Sequence, residues 1–362
     1  MNRISSHYFL LLLLFLLISC SQNRQKVIVN SESRKAFSFY YNALDHIETG
    51  QFKSALSDLD SAIHYQPEYS NYYFVKGRVY EFLEKPDSAI KAYEHSVELK
   101  SYYPDAWIRL ADLYLSQWNF AGAAANYKKA VQHYPDSSRF YLRLGECYFR
   151  LEKYYLALDR LRDYQSRSEN PSIELKKWQG MAHYGLEAYQ KAAELLQSYA
   201  QKNPYDSEAL KYLGMAQFKL GEYNLAISAL NKAIVSNKAD PEIYLYRARY
   251  FMLQDKMDVA QEQLNVGLKQ DSLNSDILFE LGLFYFNQNK FDSSKYYFNK
   301  VTDTDPDYWR AYRYLGFIAE HEKNLEEALA NYKLFLENTF EDDAEVSRRI
   351  SDIQNKIQIK NN

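Results

Sequence analysis

Few side chains in this sequence could carry covalent or proton chemistry: two cysteines, Cys20 and Cys147, and seven histidines. A metal site wants histidines about one helical turn apart, and a nucleophile wants a base beside it. His64, His95 and His133 lie among polar residues with no second histidine at i+4. No glycine-rich phosphate loop, nucleophile elbow or paired-cysteine motif is present. Cys147 sits in an apolar periodic segment and reads as a buried small hydrophobe. The expectation is a protein with no catalytic residue, no metal and no cofactor. The 35 tyrosines invite a second idea, stacking on carbohydrate, so a glycan-binding receptor stands as the alternative to a protein-binding one.

The elements that would have to position any site announce themselves by repetition. Small residues recur every 34 or 35 places at Ala43, Gly77, Ala111, Gly145, Gly180, Gly214, Ala248, Gly282 and Gly316. A second ladder runs twelve residues later through Ala55, Ala89, Ala123, Ala157, Ala192, Ala226, Ala260, Ser294 and Ala328. Self-similarity at this period means stacked supersecondary units. With repeats starting at Ala36, Ser70, Pro104, Ser138, Ile173, Ser207, Pro241, Ser275 and Trp309, the fourth place is large or aromatic except at Lys176, and the eleventh is often aromatic. Places 4, 8 and 11 form one helical stripe and places 20, 24 and 27 another, so each unit reads as two antiparallel helices.

Glycine inside a helix costs about 1 kcal/mol relative to alanine. Six glycines at the eighth place therefore argue for close helix packing. Pro67, Pro135, Pro204 and Pro306 stand at place 32, where they end the second helix. Tyr164, Tyr199, Val301 and Phe335 are larger than the usual small residue at place 27, and packing must shift to admit them. The fifth repeat, with Lys176 and His183 where rings are expected, is where a weak joint is anticipated.

These registers resemble the tetratricopeptide repeat, clearest in Trp107-Leu110-Ala111-Tyr114-Ala123-Tyr127-Ala130-Pro135. The resemblance spans residues 36–340 and implies an all-α, right-handed superhelical solenoid of about nine helix-turn-helix repeats. Residues 341–362 read as a capping helix and tail, because Val346, Ile350, Ile353 and Ile357 make an apolar stripe behind an acidic start.

Residues 1–19 read as a secretory signal: Arg3 gives a positive start, and Tyr8 to Ile18 form an apolar run too short to cross a bilayer. Its end, Leu17-Ile18-Ser19-Cys20, resembles the lipobox of bacterial lipoproteins. That resemblance implies cleavage before Cys20, a diacylglycerol on its sulfur and a further acyl chain such as palmitate on its amine, enough for stable anchoring. A lipidated Cys20 leaves Cys147 no thiol to pair with. Residues 20–35 are then the lipidated cysteine and a polar tether, with a reach of roughly 20 Å. Ser21 in place of an acidic residue after the cysteine suggests the outer membrane, facing the periplasm.

In the family the first helices line a concave groove with places 2, 5, 9 and 12. Here those places hold a mixed polar wall including Arg78 and Asp112. Further on, an apolar stretch holds Met181, Met215, Phe218, Met252, Phe279, Leu283, Phe286 and Phe317, with Arg249, Arg310 and Arg313 among them. Such a groove suits a peptide whose acidic groups fix its register. A net charge of -3 offers no basic field for nucleic acid, and no small-molecule substrate is indicated. The reading is a membrane-anchored, non-catalytic scaffold of a bacterial cell envelope that binds peptide segments of other envelope proteins.

Overall fold

The computed structural model describes residues 31–100, 104–237, 239–339 and 343–361. The signal segment, Cys20 and most of the tether lie outside them. Among the described residues there are nineteen helices and no strand. In pairs they are α1 (Ser31–Glu48) with α2 (Phe52–Tyr65), α3 (Ser70–Phe82) with α4 (Pro86–Leu99), and α5 (Pro104–Ser116) with α6 (Phe120–His133). Then come α7 (Ser138–Arg150) with α8 (Tyr154–Arg167), α9 (Glu174–Gly185) with α10 (Tyr189–Ala200), and α11 (Ser207–Lys219) with α12 (Tyr223–Ser236). The last are α13 (Pro241–Leu253) with α14 (Met257–Gln270), α15 (Ser275–Asn287) with α16 (Phe291–Thr304), α17 (Trp309–His321) with α18 (Leu325–Asn338), and a single closing helix, α19 (Ala344–Asn361).

The chain divides into two compact units, one ending at Cys147 and the other beginning at Tyr148. The division falls inside α7, not in the fifth repeat where a joint was anticipated. There Lys176 Nζ donates to Ser198 Oγ at 2.7 Å, and Leu175 and Trp178 are buried, so the repeat packs as its neighbours do.

The glycines at the eighth place have a steric cause. A Cβ on Gly77 would lie 2.6 Å from the Tyr93 ring, on Gly214 2.7 Å from Leu230, on Gly282 2.5 Å from Phe298 and on Gly316 2.5 Å from Tyr332. The small residue at place 8 makes room for the fully buried side chain at place 24.

Every pair turns the same way. The fifteenth residue of each repeat, Gly50, Glu84, Trp118, Glu152, Glu187, Gly221, Asp255, Asn289 or Lys323, has φ between 53° and 79°. The next residue donates its N–H to the carbonyl five places back, as Lys85 does to Tyr80 at 2.9 Å and Asn324 to Ala319 at 2.9 Å. This is the Schellman end of a helix, which glycine favours. Two of the nine, Gly50 and Gly221, are glycine and mark their turns in the sequence; the other seven carry no such signal.

Two boundaries differ from expectation. Residues 31–35, read as tether, are the first turn of α1, because Glu32 suits the positive helix end and Ala36 is already fully buried. The closing helix starts at Ala344, with Asp343 capping the Val346 N–H at 3.0 Å. Its Val346 and Ile353 are buried in one cluster with Tyr332 and Phe335.

Cationic side chains on the first helices reach forward to acids that open the next repeat. Lys177 lies 2.9 Å from Asp206 and 3.1 Å from Glu208, which also takes Arg150 in a two-pronged pair. Lys211 lies 2.9 Å from Asp240 and 2.8 Å from Glu242. Burial alone would raise the pKa values of Asp206 and Glu208. The Ala209 amide, Lys177 and Tyr199 outweigh it at Asp206, and Arg150 with Lys177 outweighs it at Glu208, so both are held below their ordinary values. A lowered carboxyl pKa contributes stability that is fully present above the ordinary carboxylate range near pH 4 and is lost as pH falls through the folded values. An acid titration followed by hydrogen exchange should therefore open α9 and α11 early. The double variant Asp206→Asn, Glu208→Gln, less stable at pH 7, should show a flatter acid dependence there.

Candidate functional site

Three of the groove residues expected from the sequence, Phe279, Arg310 and Arg313, line one pocket of about 500 Å³. The rest of its wall comes from Trp309 and Tyr314 of α17, Phe335 of α18, and Asp343 and Ala344 where α19 begins. Trp309 and Phe335 pack with centroids 5.5 Å apart, and Phe279 meets Tyr314 at 5.8 Å and Tyr308 at 5.1 Å. The large residue at place 27 of the last repeat, Phe335, thus forms a wall. Its departure from the repeat pattern was the sequence signal for this site. Trp309, Tyr314 and Asp343 stand outside the four places that the groove reading used, so it missed them.

The charges divide unequally. Arg313 Nη2 lies 3.1 Å from Glu345 and 3.4 Å from Asp343, with its guanidinium over Phe317 and Phe335 at 5.5 and 5.9 Å from the ring centres. Arg249 is spent on Glu280, at 2.5 and 2.6 Å. Neither is the open cation that the groove reading supposed. Arg310 is exposed, stands 5.2 Å over the Trp309 ring and makes no ion pair among the described residues. Among the described residues the pocket therefore combines aromatic walls with Arg310, a cation that makes no ion pair.

Other expected groove residues are buried or half-buried by their neighbours. Met181, Met215 and Phe279 are 0, 2 and 7 % exposed, because first helices pack on one another closely enough to bury places 5 and 9. Phe218 is wedged against Tyr223 and Tyr246, and Met252 packs on the Leu245 cluster. Leu283, Phe286 and Phe317 fill the space round Tyr314. In the first unit Arg78 is exposed, and Asp112 accepts the Tyr127 hydroxyl at 2.5 Å. They belong to a different unit and are not part of the pocket.

Burial pushes the Cys147 thiol up to about 12, with Glu146 adding to the shift, so it is protonated and inert at neutral pH. Among the described residues no three His, Cys, Asp or Glu side chains stand close enough to hold a metal ion, and no helix is long and apolar enough to cross a membrane.

Stacked helix pairs of one length, closed by the same turn nine times and offering an aromatic pocket at one end, define a helical-repeat protein. A family model for the tetratricopeptide repeat matches residues 108–171, 178–242, 212–274 and 279–339, and a second model of that description matches 70–103. The chain belongs to the tetratricopeptide repeat family, whose fold is that of protein–protein interaction scaffolds and whose members are generally non-catalytic. It is similar to the TPR repeat-containing protein MJ1428 of Methanocaldococcus jannaschii, 25% identical over 195 residues, which cover 51% of this chain and 34% of that protein. The chain thus spans about a third of the length of that curated relative. Among solved structures it is similar to the APC/C hetero-tetramer Cut9-Hcn1, with TM-score 0.52 and 16% identity over 91% of this chain and 79% of that one. It is also similar to a tetratricopeptide repeat protein from Parabacteroides merdae, with TM-score 0.49 and 14% identity over 67% and 96%. At 16% identity the likeness to Cut9-Hcn1 is one of fold.

Proposed function

We propose that this chain is an exported lipoprotein scaffold of a bacterial cell envelope, anchored through Cys20 in the outer membrane and facing the periplasm, that docks peptide segments of other envelope proteins. The anchoring rests on Arg3, the apolar run and Leu17-Ile18-Ser19-Cys20. The docking rests on one observation: beside the paired Arg313, the aromatic pocket keeps Arg310 without an ion pair among the described residues. The segment it suits has an apolar or aromatic side chain for the walls and a carboxylate beside it for Arg310.

The test is a crosslinked pull-down of the full chain from its native envelope, run beside the double variant Trp309→Ala, Arg310→Glu and beside Cys20→Ala. Discrete protein partners lost in the pocket variant support the docking site. Partners retained in full overturn it, and glycan recovered without protein favours the receptor alternative. Incorporation of an alkyne-tagged fatty acid in wild type, lost in Cys20→Ala together with membrane association, supports the anchor. A soluble wild-type chain with no label removes it.

A further inference from the structure

The first unit has a groove of its own, between α3 and α4 of the second repeat. Tyr73, Lys76 and Tyr80 line it from α3, three and four residues apart, and Ser88, Lys91 and His95 line it from α4 at the same spacing. The rings of Tyr73 and His95 meet at one end with centroids 4.3 Å apart. Ala92, small and buried, completes the lining of a space of about 390 Å³. Along α3 the two half-buried tyrosines stand about 10 Å apart. Every lining side chain except Ala92 ends in a hydrogen-bonding group, and none is an acid. The pocket at Trp309 is built differently, with phenylalanine walls and Asp343 at its edge.

The polar ends in this groove are largely unspent. Elsewhere tyrosines at the same places are tied to the repeat before: Tyr114 donates to Glu94, Tyr285 accepts from Gln261 at 2.6 Å, and Tyr141 donates to the Pro135 carbonyl at 3.0 Å. The first repeat offers Tyr80 no such partner. Leu56 stands at the place of Gln261, and Asp60, at the place of Glu94, is taken by Lys76 at 2.6 Å. Among the described residues the hydroxyls of Tyr73 and Tyr80 make no hydrogen bond, and the exposed Lys91 makes no ion pair. The two acids that touch the lining, Asp60 at Lys76 and Glu98 at His95, are themselves well exposed and stand outside it.

We propose that this groove binds an acidic glycan. Sugar rings lie on Tyr73 and Tyr80, sugar hydroxyls meet the two phenol hydroxyls and Ser88, and a carboxylate borne on a sugar pairs with Lys91. A sugar has the combination these walls ask for: a C–H face for the electron-rich face of a ring, and hydroxyls round its edge. An apolar peptide side chain would instead want walls without polar tips. The absence of an acid from the lining, with Lys91 unpaired beside it, selects a negatively charged sugar over a neutral one.

The test is a calorimetric titration of the full chain with oligomers of galacturonate, mannuronate and hyaluronan, beside the methyl ester of each and beside poly-glutamate. At low salt at least one acidic oligomer should bind about fivefold more tightly than its neutral ester, the factor one exposed charge pair can supply. Lys91→Met, a change on the surface, should remove that advantage and leave the ester bound as before. Asp60→Asn frees Lys76 and should tighten the acidic oligomer about fivefold. Tyr80→Leu should weaken acid and ester alike, because it takes away the ring and its hydroxyl. The double variant Trp309→Ala, Arg310→Glu should change nothing, which keeps this groove distinct from the peptide pocket. No binding of any oligomer, equal binding of acid and ester, or an acid preference unchanged in Lys91→Met would overturn the proposal. So would glycan binding lost in the Trp309 variant, or poly-glutamate bound more tightly than every oligomer.

Discussion

Replacing Tyr332 with alanine should destabilise the C-terminal repeats by about 3–5 kcal/mol, the cost of deleting a fully buried ring. Tyr332 is 0% exposed; its ring lies directly over Gly316 and packs on Phe317 at 5.6 Å, and its hydroxyl bonds Glu320 at 3.1 Å. It also shares a buried cluster with Val346 and Ile353 of α19, so the loss should release the closing helix. Each repeat contacts only its neighbours, so the effect should be local. Native-state hydrogen exchange should show lost protection in α17, α18 and α19 while the first unit keeps its own. Tyr332→Phe separates ring from hydroxyl. It should cost only about 0.5–1.5 kcal/mol, since Glu320 keeps Arg349 at 2.9 Å. Equal losses in the two variants would show that the hydrogen bond, not the ring, holds the cap.

Lys211→Met should also be damaging, by about 1–3 kcal/mol, because it leaves the part-buried Asp240 without its cation, while Glu242, 39% exposed, can be met by water. The Lys211 side chain is only 13% exposed, and the two carboxylates, coming from the start of α13, join it to the repeat before. Adding Asp240→Asn and Glu242→Gln to Lys211→Met removes the stranded charges and should recover most of the loss, leaving the cost of the Asp240 cap on the Glu242 amide. Urea unfolding of the three variants and wild type measures this. A triple variant no more stable than Lys211→Met would show that the ion pairs do not join these repeats.

The same ion pairs explain why the groove was read only in part. Arg249 and Arg313 look like ligand-binding cations in the sequence, yet they, like Lys177 and Lys211, are each met by an acid 29 to 32 residues further on. The recurrent Asp-x-Glu at 206–208, 240–242 and 343–345 was the available signal. Period alone places such an acid one repeat away in sequence. How near it comes in space depends on how closely consecutive first helices pack, and that same closeness buries Met181 and Met215.

By itself the sequence determined the helical-repeat architecture, the two-helix unit and most of its punctuation. Period, small-residue ladders and proline stops are local or strictly periodic, and nine copies reinforce one another. Tertiary structure alone decided which groove side chains reach solvent, which cations are already neutralised, and that seven non-glycine residues, Trp118 among them at 73% exposure, take the left-handed turn. These outcomes depend on contacts between residues of different helices, and a pattern of residue types fixes the helices without fixing the distances between their side chains.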